Sequence, residues 1–392
     1  MTSFIHTADW QLGKPFSRVT DPDRQAALRS QRLETIDRIA AVAKNHQASF
    51  IVVAGDVFDS HRPPDRLISK ALQRIGQIGL PVYVIPGNHD YGGPGSLWLT
   101  DHFQRENREL APNLIVLLDA EPIEREDAIP LPCPLVQRQQ LSDPTDWIRS
   151  IDFAAFDERP RIVLAHGSTV NFHGEADEED EPTQANYIDL DRLADRLGEI
   201  DYIALGDWHG FQQAGDKAWY AGSHETDRFP KSGQLPGQVA CVRVSRGNTP
   251  QVEPAATGVI CWFEYAETFV ATDGPSRLDE ALSLLTAQTG SENTFLKLRL
   301  DGHLGLEGHE ALETLLNTWR SRVAELRVEK NVALQPTAEE LNALTERADD
   351  PLIAGVARLL ADEITHEGEA GEVAALALTL LHQQVAHLEG AR

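Results

Sequence analysis

The chain has 392 residues, 35 Lys and Arg against 61 Asp and Glu, and a formal net charge of −26 at pH 7. That length can bury a full core and suggests two or three domains, while the acidic balance is awkward for a protein that grips nucleic acid through a broadly basic surface. The N-terminus lacks a basic segment followed by a long apolar run, and no stretch approaches about 18 consecutive apolar residues, so a cytoplasmic location is expected rather than export or membrane spanning.

Apolar, β-branched runs at residues 3–8, 50–54, 82–85, 161–165 and 202–205 read as strands. Each is closed by a short polar cluster: Asp9-Trp10-Gln11, Gly55-Asp56, Gly87-Asn88-His89-Asp90, His166-Gly167 and Gly206-Asp207-Trp208-His209. Between the first two clusters, Leu28, Leu33, Ile36, Ile39 and Ala43 recur at helical intervals over 26–44. Leu67, Leu72 and Ile75 do the same over 66–78. Such helices serve as crossovers, and right-handed strand-helix-strand connections return successive strand ends to one edge. In an open α/β sheet that edge is where ligands bind.

Beyond the fifth cluster, 239–244 and 259–263 read as strands that finish the first layer, and a second unit is expected from about residue 266. Residues 278–285 and 312–323 read as helical. Over 295–300, Leu296, Leu298 and Leu300 alternate with Lys297 and Arg299, the pattern of a strand with one buried face. From about 336 the chain reads as wholly helical. Thr337 with Glu340 forms a capping box, Asp350-Pro351 starts a helix carrying Leu352, Val356, Leu359 and Leu360, and 371–388 aligns Val373, Leu376 and Leu380 in one stripe. The expected domains are therefore 1–265, 266–335 and 336–392. Cys133, Cys241 and Cys261 are odd in number and far apart, which suits reduced thiols.

Taken singly, an Asp after a strand is a helix cap or turn residue, Asn88 after Gly87 is a turn, and a lone His166 or His209 is an ordinary core or surface histidine. Turns do not require carboxylate, amide and imidazole groups at five strand ends together. The joint pattern points to a metal centre.

The motifs resemble those of the calcineurin-like metallophosphoesterases. HTADWQLG (6–13), GDVFD (55–59), GNHD (87–90) and AGSHETDRF (221–229) look more closely like the SbcD-type DNA repair exonucleases. The resemblance implies an α/β fold, a β-sandwich flanked by helices in four α/β/β/α layers, followed by a small α/β capping domain and C-terminal helices. It implies that Asp56 bridges two divalent ions, with Asp9, Gln11 and His209 completing one and Asn88, His166 and Asp207 the other, and that the ions activate a water for in-line attack on phosphorus. Alternation along an extended segment would turn Asp9 with Gln11, and Asp207 with His209, to the site. His89 would stabilise the transition state or protonate the leaving oxygen. Asp90 would orient His89 or cap a helix.

Two positions depart from the family pattern, since Gln11 and Asp207 stand where histidine is usual. The inferred shell is then mostly oxygen, which favours Mn²⁺ or Mg²⁺ over Zn²⁺, and its three ligand carboxylates leave a formal charge of about +1 against two divalent ions. The resemblance further implies a DNA exonuclease or endonuclease in repair or defence, an SbcC-like SMC-family ATPase partner docked by the C-terminal helices, and possible homodimerisation. Positive positions near the clusters, Lys14, Arg18, His61, Arg62, Arg228 and Lys231, are the candidate DNA contacts. Asp59 stands three residues after Asp56, as in bacterial relatives, so no DNA-guiding histidine is expected there. The acidic run at 175–181 reads as a solvated loop, and seven Lys against 28 Arg with so many acids is a balance that salt adaptation also produces. Alternative readings are a phosphodiesterase on nucleotides or other small phosphoesters, and a non-catalytic metal-binding scaffold.

Overall fold

The computed structural model describes residues 1–170, 185–229, 235–272, 274–287, 289–365 and 368–390. The acidic run at 175–181 and Lys231 lie outside the described residues. The chain divides into two compact units, Met1–Ile260 and Cys261–Arg392.

In the first unit, β1 (Thr2–Thr7), β2 (Phe50–Ala54), β3 (Val82–Ile85) and β4 (Leu114–Val116) run parallel. A second sheet contains β5 (Ile129–Cys133), β6 (Arg161–His166), β7 (Tyr202–Gly206), β8 (Gln212–Gln213) and β9 (Ala218–Tyr220), in the order β5-β6-β7-β9-β8. The first sheet is completed by β10 (Gln238–Val244) and β11 (Gln251–Ala256), in the order β11-β10-β1-β2-β3-β4. Phe4, Phe50 and Val52 of the first sheet share one buried cluster with Ile162, Leu164, Tyr202 and Ala204 of the second, so the two sheets pack as a sandwich.

The outer face of the first sheet is covered by α1 (Pro22–Asn45), α2 (Asp65–Gln77) and α3 (Asp101–Leu110), through Ile36, Ile39, Leu72, Ile75 and Phe103. The outer face of the second is covered by the short helical segments Asp146–Ser150, Phe153–Ala155 and Leu190–Arg196, through Ile148, Phe153 and Leu193. Asp21 begins α1 by accepting from the main-chain N–H groups of Asp23 and Arg24, with Pro22 in the first turn. β1 and β2, like β6 and β7, are in register at their carboxyl ends, which sets the clusters that follow them side by side.

The second unit is a parallel sheet of β12 (Cys261–Phe269), β13 (Thr294–Leu304) and β14 (Glu325–Leu334), with α4 (Ser276–Thr286) and α5 (Leu306–Arg322) as its crossovers. Leu296, Leu298 and Leu300 pack on Leu278, Leu282, Leu312 and Leu316, while Lys297 and Arg299 face Glu329 on the opposite side. The strand expected at 259–263 thus belongs to this sheet and not to the first. Trp262 stacks on Phe295 at 4.1 Å, and the strand that ends the first sheet is β11, an edge strand too exposed to show alternation.

Then come α6 (Ala338–Thr345), α7 (Pro351–Glu363) and α8 (Glu369–Gly390). The Thr337 and Glu340 capping box is formed. Leu344, Ala357, Leu378 and Val385 turn inward, leaving Leu352, Leu359, Val373, Leu376 and Leu380 exposed. Among the described residues no helix is long and apolar enough to cross a membrane.

Candidate metal centre

All five clusters lie at the carboxyl ends of β1, β2, β3, β6 and β7, but pleat alternation is not what aims their side chains. Asp9, Gln11, Asp56 and Asp207 have φ of 53°, 39°, 56° and 101°, the left-handed region that non-glycine residues rarely adopt. The Gln11 N–H donates to the Asp56 carbonyl at 2.8 Å and the Leu12 N–H to that of Val57 at 2.9 Å, so the first two clusters run side by side through these turns. Glycine is required where the clusters touch. A Cβ on Gly55, itself at φ 90°, would stand 2.2 Å from His166 Nδ1, and one on Gly87 would stand 2.1 Å from Asp56 Oδ1.

His166 is the hub. Its Nδ1–H donates to the Ala54 carbonyl at 2.8 Å, which turns Nε2 towards the other clusters. That atom lies 3.2 Å from Asn88 Oδ1, 3.6 Å from Asp56 Oδ1 and 3.8 Å from Asp207 Oδ1. An octahedral ion with bonds of about 2.1 Å separates neighbouring donors by about 3 Å and opposite ones by about 4 Å, so each of these oxygens stands from Nε2 at a spacing that a shared hard divalent cation would allow. Asp9, Asp56 and His166, all buried, also form a group of ligand atoms within 4.8 Å of one another. Asp9 accepts from the Asp207 N–H at 3.1 Å, and Ser168 Oγ donates to Asp207 Oδ2 at 3.0 Å.

The electrostatics call for a cation. Burial pushes the Asp9 carboxyl well above its ordinary range, with Asp56 and Asp207 adding to the shift against the pull of His166. Burial also raises Asp207. Of these three, Asp56 alone is held low: burial raises it, but His166, His89 and the His89 N–H outweigh that. For His166 burial pulls down and the three carboxylates push up, to about 9. Three carboxyl groups crowd one imidazole, two of them pushed towards the neutral form, and a divalent ion among them would favour the ionised form of all three.

This fixes a pH dependence. The folded His166 value of about 9 lies above its ordinary 6.5, so the stabilisation is complete below pH 6.5 and lost as pH rises through 9, to the extent of about 3 kcal/mol at most. Asp90, raised from 3.8 to about 7, loses its share in the lower window. With chelator present, the melting temperature is expected to fall from pH 6.5 to 9, and Mn²⁺ at pH 9 to restore it. A melting temperature flat over that range would count against the cluster.

His89 stands beside Asp56, with Nε2 3.9 Å from Oδ2, and its N–H donates to Asp56 Oδ1 at 3.0 Å. The group that orients its ring is the Asp59 carbonyl, 2.9 Å from Nδ1, and not Asp90. Nor does Asp90 cap a helix. It is buried, accepts from the Gly87 N–H at 2.8 Å and from the Phe58 N–H at 3.1 Å, and so ties the second and third clusters together. Burial lowers the His89 pKa, but Asp56 and Asp59 outweigh it and hold the value above the ordinary 6.5.

Gln11 and His209 belong to a neighbouring cluster. Gln11 Oε1 accepts from Lys14 Nζ at 2.9 Å, Lys14 pairs with Asp227 at 3.0 Å, and Asp227 lies 3.4 Å from His209 Nδ1. The Arg228 guanidinium is 3.2 Å from the same nitrogen and 3.3 Å from Asp227. Lys14 and Arg228 are therefore tied into the protein interior. Arg18 and Arg62 are exposed, and His61 stacks on Tyr91 at 5.6 Å between ring centres.

Asp227 and Arg32 are not among the site residues expected from the sequence. The Arg32 guanidinium is 1 % exposed and donates to the carbonyls of Asp9 at 2.8 Å, Trp10 at 2.9 Å and Glu225 at 3.0 Å. Its signal was present: it sits four residues from Leu28 and four from Ile36, on the buried stripe of α1. Glu225 supports the same region, accepting from the N–H groups of Val259 and Ile260.

A sandwich of two mixed sheets with carboxylates, an amide and a histidine at its strand ends defines a metal-dependent phosphoesterase class. The calcineurin-like phosphoesterase family profile matches residues 2–239, and the chain belongs to that family. Among curated relatives it is 37 % identical over 90 residues to the SbcD component of the nuclease SbcCD of Escherichia coli K12, covering 22 % of this chain and 20 % of that one. The Bacillus subtilis protein of the same name is 36 % identical over 90 residues, 22 % and 21 % of the two chains. The DNA double-strand break repair protein Mre11 of Haloferax volcanii is 29 % identical over 252 residues, 60 % of this chain and 49 % of that one. The matches thus span from a fifth to about half of the relatives' lengths. A solved protein of Thermus thermophilus matches 65 % of this chain and 99 % of its own at 12 % identity and a TM-score of 0.40, a likeness that carries no argument about the site.

Proposed function

We propose that the chain is a divalent-metal-dependent DNA phosphodiesterase, an exonuclease or endonuclease subunit that acts with an SbcC-like SMC-family ATPase. The observation that carries the reading is the convergence of Asn88, Asp56 and Asp207 on His166 Nε2 within 3.8 Å. These residues would hold the ion, with Asp9 beside them, and the oxygen-rich set suits Mn²⁺, with Mg²⁺ second. The ion would supply Lewis-acid polarisation of the phosphoryl group and an acidified water.

The protein's own part is positional. The Asp59 carbonyl fixes the His89 ring so that Nε2 faces the Asp56 side, and Asp56 and Asp59 shift its pKa upward, the direction that a proton donor to the departing sugar oxygen needs. Asp90 and Gly87 hold the loop that carries Asn88 and His89. The exposed apolar side chains of α7 and α8 support the partner reading. The second reading, a phosphodiesterase on small phosphoesters, is favoured by the inward ties of Lys14 and Arg228, which leave fewer cations for a DNA backbone.

The test is cleavage of end-labelled duplex and single-stranded DNA, beside bis-p-nitrophenyl phosphate, with Mn²⁺, Mg²⁺ or chelator. Expected is Mn²⁺-dependent DNA cleavage that His89→Ala lowers by about 10²- to 10⁴-fold. Turnover of the small diester alone, with the ATPase present, would favour the second reading. No turnover of either would leave a scaffold.

A further inference from the structure

The two ion positions that the family resemblance implies are not equivalent in this chain. The position around His166 brings Asn88 Oδ1, Asp56 Oδ1 and Asp207 Oδ1 within 3.8 Å of Nε2. The other would need Gln11 and His209, together with Asp9 and Asp56. There, Gln11 Oε1 accepts from Lys14 Nζ at 2.9 Å, and the same Nζ lies 3.0 Å from Asp227 Oδ2. His209 Nδ1 is met by Asp227 at 3.4 Å and by Arg228 at 3.2 Å. Two side-chain cations thus sit among the groups that would surround the second ion, and the buried Asp227 carboxylate is their counter-charge.

We propose that the centre takes one divalent ion, at Asp56, Asn88, His166 and Asp207, and that the Lys14 ammonium stands in for the second cation. The inference rests on the metal-centre reading above and deepens it. A glutamine carbonyl is a good acceptor for an ammonium and a weak, neutral donor to a divalent ion, so the departure at position 11 and the inward turn of Lys14 form one substitution of charge for charge.

The measurement is Mn²⁺ stoichiometry on the full chain, by elemental analysis after chelator stripping and titration, with electron paramagnetic resonance of the bound ion. One Mn²⁺ per chain with an isolated six-line spectrum is expected, and none for His166→Ala. The double variant Gln11→His, Lys14→Ser is expected to take two, with an exchange-coupled spectrum. Two coupled ions in the unaltered chain would overturn the proposal and leave the metal-centre reading standing. No Mn²⁺ in the unaltered chain would overturn that reading as well. A double variant that folds and still takes one ion would overturn the role given to Lys14.

Discussion

Asp56→Asn is expected to abolish tight Mn²⁺ binding and to lower phosphodiester turnover by about 10³-fold or more, the equivalent of several kcal/mol of lost charge stabilisation. The substitution keeps the shape and the acceptor for the His89 N–H, so the loop that carries Asn88 stays in place. It removes the carboxylate that faces both histidines, at 3.6 Å from His166 Nε2 and 3.9 Å from His89 Nε2. The His166 imidazole loses the first of the carboxylates that hold its pKa near 9, and the donor set keeps too little charge for a divalent ion. Calorimetric titration with Mn²⁺ alongside steady-state turnover reads both effects. A folded Asp56→Asn protein with unchanged Mn²⁺ affinity would remove the basis for the centre.

Arg32→Met is expected to destabilise the first unit by about 3–5 kcal/mol. A methionine fills much of the same volume but leaves the carbonyls of Asp9, Trp10 and Glu225 without their donor in a buried place. The loss reaches the centre because Asp9 sits at a left-handed φ of 53°, a strained turn that persists only while its surroundings hold it. Arg32→Lys is expected to recover only part of the loss, since one ammonium cannot span three carbonyls as the guanidinium fork does. Urea unfolding followed by tryptophan fluorescence measures it, because Trp10 is buried beside the affected carbonyls. An Arg32→Met midpoint equal to that of the unaltered chain would show that the fork carries no stability.

Much of the frame was legible from local pattern. Residues 50–54 and 82–85 are strands as read, and the helices over 26–44 and 66–78 appear as Pro22–Asn45 and Asp65–Gln77. Apolar periodicity is a short-range property, and each apolar run closed by glycine and a polar residue marked a strand end. The strand at 261–269 joins the second unit's sheet, not the first as its position suggests, for the same reason. A strand's own residues do not say which partner it pairs with, and Trp262 is drawn to Phe295, 33 positions away.

By itself, then, the sequence determined that Asp9, Asp56, Asn88, His166 and Asp207 stand at carboxyl ends of strands, because strand length, turn residues and donor chemistry are written locally. Only the tertiary structure decided which group faces which. The partner of His89 is the Asp59 carbonyl, 30 residues back, rather than the adjacent Asp90. Lys14 turns inward to Asp227, and Arg32 closes a fork over carbonyls as far off as Glu225. The side chains of Asp9, Gln11, Asp56 and Asp207 are likewise aimed by left-handed turns rather than by simple alternation. Such turns are strained in isolation, so they exist only where the packed sandwich and its long-range hydrogen bonds enforce them.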